Sequence, residues 1–439
     1  MRNLFLSISL FFACGLILSA QDHQWAKNDV LAESSRWGGT FGVYPEGQPL
    51  PPRPPKGYKP FYLSHMGRHG SRFVDGRRFY PKMLEIWKTA EEKGQLTPEG
   101  RKFYLAYAEV YPRLLYHEGI LTRKGQEQHR RIADQIYRNY PEIFKGRTKA
   151  ELLSTESSRV LVSMMCCVDE LSDLDRDLTF HVDYGRPYYS MLIPESTDNP
   201  YFRRMEPFTE EALGKYERFA AEVFDEDAVI GRWFTSTDDL GLDKESFMYD
   251  MMQLVSDFNN LDFTVSETLT EVFTPDERYA IWRVQNYSDY MYTGVAPGVD
   301  PRRMLEMSVT AKDIIDRFEE DRANGVALRM RFSHDTALAP LISYLGVNGM
   351  DAKIEDPYEV EKVWRSYDVP MGCNFQLVFF RSRKAKDDIL IQALLNGFCA
   401  TLPLPEVAPG FYRWSDFKAK FDKIAVDLTP APLPAPARR

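Results

Sequence analysis

Five consecutive residues, Arg68-His69-Gly70-Ser71-Arg72, place an imidazole between two guanidiniums on a turn that contains glycine. Arginine stays charged at any relevant pH and presents planar forks of donors that match phosphate oxygens. Gly70 has no Cβ to keep a ligand from the backbone. A neutral imidazole between such cations can attack phosphorus in line, because the flanking charges disfavour the imidazolium. A second group, Ser333-His334-Asp335-Thr336, adds another imidazole and an acid able to protonate a leaving alkoxide. A third, Ser154-Thr155-Glu156-Ser157-Ser158-Arg159, puts Arg159 in the first turn of a helical pattern, where free backbone N–H groups favour an anion. Any one of these alone reads as readily as a solvated turn. Together they supply a nucleophile, a clamp of three arginines and an acid.

All three groups stand where an apolar strand pattern ends. Residues 61–66 read as a buried strand running into the Arg-His-Gly turn, 151–154 as a second, and 326–332 as a third. Helical patterns follow the last two at 156–171 and 337–345, so a strand-loop-helix unit recurs, and ligands in α/β folds sit at the carboxyl ends of such strands. Further helices are expected at 81–92, 98–115 and 122–140, and further strands at 179–182, 375–381 and 389–395. Residues 197–324 change character, with long amphipathic stretches at 210–224, 244–259, 275–292 and 302–323 and few strand signals. The expected fold is α/β, a mixed, mainly parallel sheet flanked by helices, built from 61–196 and 325–428, with 197–324 inserted as a helical subdomain that forms the cleft. Residues 21–60 read as an extended arm, Pro- and Gly-rich from 45 to 60, and 429–439 as a disordered Pro/Ala tail. Trp282, Asn286 and Tyr290 form a stripe at helical spacing that reads as core more than as cleft roof.

The 439 residues, 44% hydrophobic and 13% aromatic, suffice for a large core. Residues 1–20 read as a secretory signal, with Arg2 as the basic start and an apolar run over 4–18 too short to cross a bilayer. Cleavage is expected after Ala20, giving a periplasmic or secreted protein. Acylation of Cys14 is the alternative, although Phe11 stands where leucine is usual. Export permits disulfides: adjacent Cys166 and Cys167 read as buried thiols, and Cys373 with Cys399 as the more plausible bridge. No Cys-x-x-Cys occurs, and His65 with His69 lacks the glutamate of a zinc helix, so no metal or other cofactor is expected. A net charge of −9 argues against nucleic-acid partners. Yet between residues 66 and 82 the bases Arg68, Arg72, Arg77, Arg78 and Lys82 face only one acid, Asp75, which would draw an anionic small molecule.

The chain resembles the acid phosphatase and phytase branch of the histidine phosphatases, which carry an Arg-His-Gly-x-Arg loop and a distant His-Asp or His-Ala-Glu. Leu121-Thr122-Arg123-Lys124-Gly125 with Gln128-His129, Ser154-Thr155 with Arg159, and Leu395-Asn396-Gly397 with Leu402-Pro403 look like further family segments, so the resemblance spans roughly residues 58–405. It implies a metal-independent phosphate monoesterase: His69 as nucleophile, Arg68, Arg72, Arg159 and His334 as phosphate ligands, and Asp335 as proton donor and then base, with an acidic optimum. His129 is expected to make a structural hydrogen bond. Asp335-Thr336 in place of Ala-Glu is similar to His-Asp phytases and sugar phosphatases, whereas residues 57–73 look most like bacterial relatives of the inositol-polyphosphate branch. Arg77, Arg78 and Lys82 resemble the basic residues that meet neighbouring phosphates in phytases. An inositol polyphosphate such as phytate is therefore the expected substrate. The alternatives are a sugar-phosphate or broad-specificity phosphatase, a non-catalytic phosphate-ester binder, and a phosphotransferase. A monomer or small homo-oligomer is expected.

Overall fold

A computed structural model describes residues 25–429 except Arg147. The signal, Cys14 and nearly all of the Pro/Ala tail lie outside the described residues. Among those described, no helix is long and apolar enough to cross a membrane.

Among the described residues, nine strands form one sheet: β1 (Tyr58–Arg68), β2 (Lys149–Ser154), β3 (Thr179–Tyr184), β4 (Val326–Ser333), β5 (Asn374–Ser382), β6 (Ile389–Leu395), β7 (Phe398–Ala400), β8 (Glu406–Ala408) and β9 (Phe411–Arg413). The spatial order is β3-β2-β4-β1-β5-β6-β9-β8, with β7 beside β6. The first four strands run parallel, and β5 turns the sheet antiparallel at its pairing with β1. The mixed sheet expected from the strand-loop-helix units is thus present. Register fixes what matters for the site: Arg68 pairs with Ser333, and Ser154 pairs with Phe332. The ends of β2, β4 and β1 therefore lie in adjacent rows.

The larger helices in chain order are α1 (Trp25–Ala32), α2 (Phe79–Glu92), α3 (Pro98–Leu114), α4 (Arg123–Asn139), α5 (Ser158–Leu174), α6 (Glu210–Val223), α7 (Glu226–Trp233), α8 (Lys244–Asp257), α9 (Pro275–Thr293), α10 (Ser308–Asn324), α11 (Asp335–Leu345) and α12 (Trp414–Phe421). The period-2 alternation of β4 sorts its side chains to two faces. Leu328, Met330 and Phe332 pack with Ile132, Val160 and Met164 of α4 and α5. Arg329 and Arg331 point to the other face, where α10 supplies a carboxylate to each. Arg329 binds Asp321 through Nε and Nη2 at 2.6 and 2.7 Å, and Arg331 Nη2 lies 2.6 Å from Asp313. Removing one partner of such a buried pair costs about 3–5 kcal/mol, because a bare charge stays inside.

Two departures from the sequence reading concern the arm and the insert. Residues 43–55 have no regular structure, as the prolines dictate, but residues 25–32 form a helix and Arg36–Phe41 a 3-10 turn. Ala26 and Val30 are fully buried there, so local burial overrides the expectation of an extended arm. The insert, likewise, does not own its core. Trp233, Phe247, Met251 and Trp282 share one buried cluster with Tyr80, Trp87, Phe103 and Tyr107 of α2 and α3. Trp282, Asn286 and Tyr290 are all buried, and Asn286 donates to the Trp364 carbonyl and accepts from Ser366 N–H, so the stripe is core.

The expected Cys373–Cys399 bridge is absent, and Cys166, Cys167, Cys373 and Cys399 are all free. Cys373 is buried before β5 with its thiol toward the Asp368 carbonyl, whereas Cys399 is exposed on β7, opposite Leu394. One thiol is thus held in the core and the other stands at the surface.

Gly125, in the first turn of α4, meets the Arg-His-Gly turn backbone to backbone. A Cβ on Gly125 would lie 2.2 Å from the Ser71 carbonyl oxygen, and one on Gly70 would lie 2.4 Å from that of Gly125. Gly125→Ala is therefore expected to destabilise the protein by about 1–3 kcal/mol, the range for overpacking. Gly231→Ala is the control: nothing lies within 4 Å of its added methyl, and alanine is the better helix former. Urea unfolding of both variants checks the contrast, and equal stabilities would remove the packing argument.

Candidate active site

The sheet register gathers the expected groups at one edge. Arg68 ends β1 and is fully buried. Its Nη1 donates to the carbonyls of Thr40 at 2.5 Å and Val369 at 3.0 Å, and its Nη2 lies 3.2 Å from Asp335 Oδ2. His69 follows, buried, with its N–H donating to the Ser333 carbonyl at 3.1 Å. Its Nδ1 lies 2.9 Å from the Gly70 carbonyl oxygen. Since a carbonyl only accepts, Nδ1 carries the proton and the lone pair of Nε2 is left for attack. The His334 ring stands 5.5 Å from that of His69, edge to face, and its Nε2 is 3.4 Å from Thr155 Oγ1.

Two helices begin at this edge. His334 precedes the first turn of α11, and Arg159 lies in the first turn of α5. Their free N–H groups add positive potential to the arginines. Arg72 is buried and donates to the Phe73 carbonyl, while Arg159 pairs with Asp75 at 2.7 Å. These bonds leave Arg68 Nε and Nη2, Arg72 Nε and Arg159 Nε without hydrogen-bond partners. Donors of this kind, arriving from the ends of β1 and β2, are what a tetrahedral oxyanion requires.

Electrostatics keep the imidazoles neutral. Burial, then Arg68, Arg72, His334 and Arg159, hold His69 well below the ordinary histidine value. Burial and Arg159 push His334 down to about 4. For Asp335, burial alone would raise the carboxyl, but Arg68, Arg72 and His334 outweigh it and hold the group below the usual carboxylate value.

A network beneath the turn holds its shape. Thr122 caps α4 by accepting from Gly125 N–H, and the same hydroxyl donates to the Ser71 carbonyl at 3.0 Å. Gln128 Oε1 accepts from Ser71 N–H, its Nε2 donates to Ser71 Oγ, and that hydroxyl donates to Asn260 Oδ1. Gly70 N–H donates to Ser163 Oγ. Asp257 accepts from Val74 N–H and Tyr80 OH, and burial pushes its carboxyl up to about 7 despite Arg72. His65 and His129 are buried below the turn, both pushed down to about 3 by burial, and the His129 carbonyl accepts from the Cys167 thiol.

Of the residues expected from sequence, His69, Asp335, Arg68, Arg72, Arg159 and His334 come together. Arg77, Arg78 and Lys82 lie on the surface stretch that follows the turn. All three are exposed, Arg78 is the left-handed residue that precedes α2, and Lys82 pairs with Asp250 at 2.7 Å. Sequence reasoning missed the Thr40 and Val369 carbonyls, Asp257 and Asn260, because these reach the turn from segments far away in the chain. It also missed a cavity of about 970 Å³ that opens beside the site. Asp335 and Thr40 line it, with aromatic and acidic side chains of α6, α8 and α9. Among the described residues, no group of three or more His, Cys, Asp or Glu could hold a metal ion.

Arg72→Ala is expected to weaken inorganic phosphate binding by roughly 10–100-fold, since a charge-assisted hydrogen bond contributes about 1.5–3 kcal/mol. Calorimetric titration measures this, and unchanged affinity would take Arg72 out of the clamp.

No protein-family profile and no curated protein matches the chain. Solved structures do. Multiple inositol polyphosphate phosphatase of Bifidobacterium longum, in complex with inositol hexasulfate, superposes with a TM-score of 0.68 at 17% identity, covering 90% of this chain and 99% of that one. The phytase from D. castellii gives 0.65 at 13% identity, covering 88% and 84%. At these identities the likeness establishes the architecture: the chain has the α/β fold of multiple inositol polyphosphate phosphatases and phytases, as the sequence resemblance implies.

Proposed function

We propose that the protein is a phosphoric monoester hydrolase of the histidine acid phosphatase type, acting through a phosphohistidine on His69. The observation that carries the reading is a neutral, buried imidazole whose Nδ1 is hydrogen-bonded to the Gly70 carbonyl, set among Arg68, Arg72 and Arg159 with Asp335 at the edge. In this reading Nε2 of His69 attacks phosphorus, the bond from phosphorus to the ester oxygen breaks, and Asp335 gives its proton to the departing alkoxide. The resulting Asp335 carboxylate takes a proton from water, which attacks the phosphohistidine and releases phosphate and His69. The arginines and helix N-termini hold the charge of the transferring phosphoryl group, so the scheme needs no metal. Export through the 1–20 signal, as a periplasmic or secreted enzyme, belongs to the same proposal.

Two substrate readings remain within it. The inositol hexasulfate in the Bifidobacterium longum enzyme supports an inositol polyphosphate. A less phosphorylated ester, such as a sugar phosphate or the substrates of a broad-specificity phosphatase, is favoured by a different observation. The cavity wall beside Asp335 carries Asp225, Glu226, Asp227, Glu245 and Asp289, against Arg303 as its single cation among the described residues.

Purified protein is expected to release phosphate from an aryl phosphate in EDTA, and His69→Ala to abolish this; full turnover by the variant would end the proposal. Asp335→Asn should lose roughly 10²–10⁴-fold on alkyl phosphates and less on aryl phosphates with good leaving groups. Equal losses on both would remove Asp335 as the acid.

The pH dependence has a definite sign. Asp335 must be protonated to act, and the free enzyme holds it below the usual value, so kcat/KM should fall as pH rises through the acid range. A bound phosphoryl dianion offsets the arginine charges and raises the Asp335 carboxyl. The fall in kcat should therefore lie at higher pH than that in kcat/KM, and the opposite order would contradict the role.

A further inference from the structure

The cavity beside Asp335 has no assigned role, and its position says which part of a substrate it receives. Asp335 donates its proton to the leaving oxygen in the reading above, and the same side chain lines the cavity. The alcohol attached to that oxygen therefore occupies this space. A volume of about 970 Å³ is ample for a drug-sized group.

The walls combine aromatic faces with unneutralised acid. Tyr216, Tyr249 and Tyr292 line the cavity with Asp289, Glu226 and Glu245. Asp289 Oδ1 accepts from Gln285 Nε2, but Oδ2 is sealed from solvent and has no partner. Burial, and next to it the charge of Asp335, push the Asp289 carboxyl up to about 7, although Arg68 acts the other way; an ammonium seated beside it favours the carboxylate, so Asp289 gives up its proton as the cation binds. Glu226 is raised by burial, Asp227 and Glu245, so the acids crowd one another. Asp227 is partly answered by Lys244, and Arg303 faces Glu195 at 3.7 Å, which draws the cavity's one cation toward another acid. Carboxylates interleaved with tyrosine faces attract an organic cation, by charge and by the ring quadrupole. The same walls repel an alcohol that carries further phosphates.

We propose that this cavity is a leaving-group subsite for phosphate monoesters whose alcohol carries an ammonium group and apolar surface, with Asp289 as its principal charge partner. The inference rests on the phosphatase reading and narrows its substrate class.

Three aryl esters of matched size separate the possibilities: the phosphate esters of tyramine, of 4-ethylphenol and of 3-(4-hydroxyphenyl)propanoate. These present an ammonium, a neutral group and a carboxylate on the same side of the ring. Expected kcat/KM falls in that order, with at least a tenfold span from the first to the third at low salt. Asp289→Asn should shrink the ratio of the first to the second by fivefold or more. Equal rates on all three esters, preference for the carboxylate, or faster turnover of inositol hexakisphosphate than of tyramine phosphate would overturn the subsite. An unchanged ratio in the variant would overturn the part given to Asp289. The comparison on the unaltered protein stands even where the variant fails to fold. Failure of the phosphatase reading looks different, because no ester then yields phosphate in a His69-dependent way.

Discussion

A guanidinium sealed from water beside the nucleophile is the constraint that most of this structure answers. Arg68 has no exposed surface, and burying a charge is tolerated only when its donors find acceptors. Two backbone carbonyls accept from it, Thr40 from the arm and Val369 from the segment before β5, and Asp335 across the site supplies a counter-charge 3.2 Å from Nη2. The arm must therefore fold back over the sheet edge. Gly39, in the left-handed region, lies against Ser366 at the place where the two segments meet, and a Cβ there would come 2.6 Å from the serine hydroxyl. What reads in sequence as an extended arm supplies, through Gly39 and Thr40, a wall of the site.

The same economy governs the turn itself. A nucleophilic loop has to be rigid without spending the side chains that face a ligand, so it is held from outside. Ser163, Gln128 and Thr122 bond its main chain, Asn260 anchors the Ser71 hydroxyl, and the Gly70–Gly125 approach lets α4 bring Gln128 and Thr122 close enough. His69, Arg72 and Arg159 are thereby left to face a ligand. The neutral state of His69 follows from the same crowding, because burial and four nearby cationic or ring groups all disfavour the imidazolium.

Charge divides the site into two halves with opposite preferences. On the side of His69 the arginines and two helix N-termini attract an anion. On the side of Asp335 the cavity is walled with tyrosines and carboxylates. A phosphate monoester is itself divided in this way, anionic at phosphorus and variable at the alcohol, so under the proposed function the basic turn and the acidic cavity serve different ends of one substrate. Arg77 and Arg78 lie on the exposed turn after Asp75, the partner of Arg159, and Lys82, in the first turn of α2, is already paired with Asp250.

Much of this was determined by sequence alone. The strand-loop-helix repeats, the helices of the insert and the six residues His69, Asp335, Arg68, Arg72, Arg159 and His334 are local patterns, each legible because apolar periodicity and strand ends are encoded within ten or twenty residues. The helix over residues 25–32, the shared core of α2, α3, α8 and α9, the free Cys373 and Cys399, and the short strands β7 to β9 were decided by tertiary packing. So were the carbonyls that hold Arg68 and the acidic cavity around Asp289. The physical reason is common to all of them: burial and hydrogen bonding depend on which distant segments meet, and periodicity carries no record of that. Sequence supplied the residue types gathered at the sheet edge, and the fold decided what surrounds them.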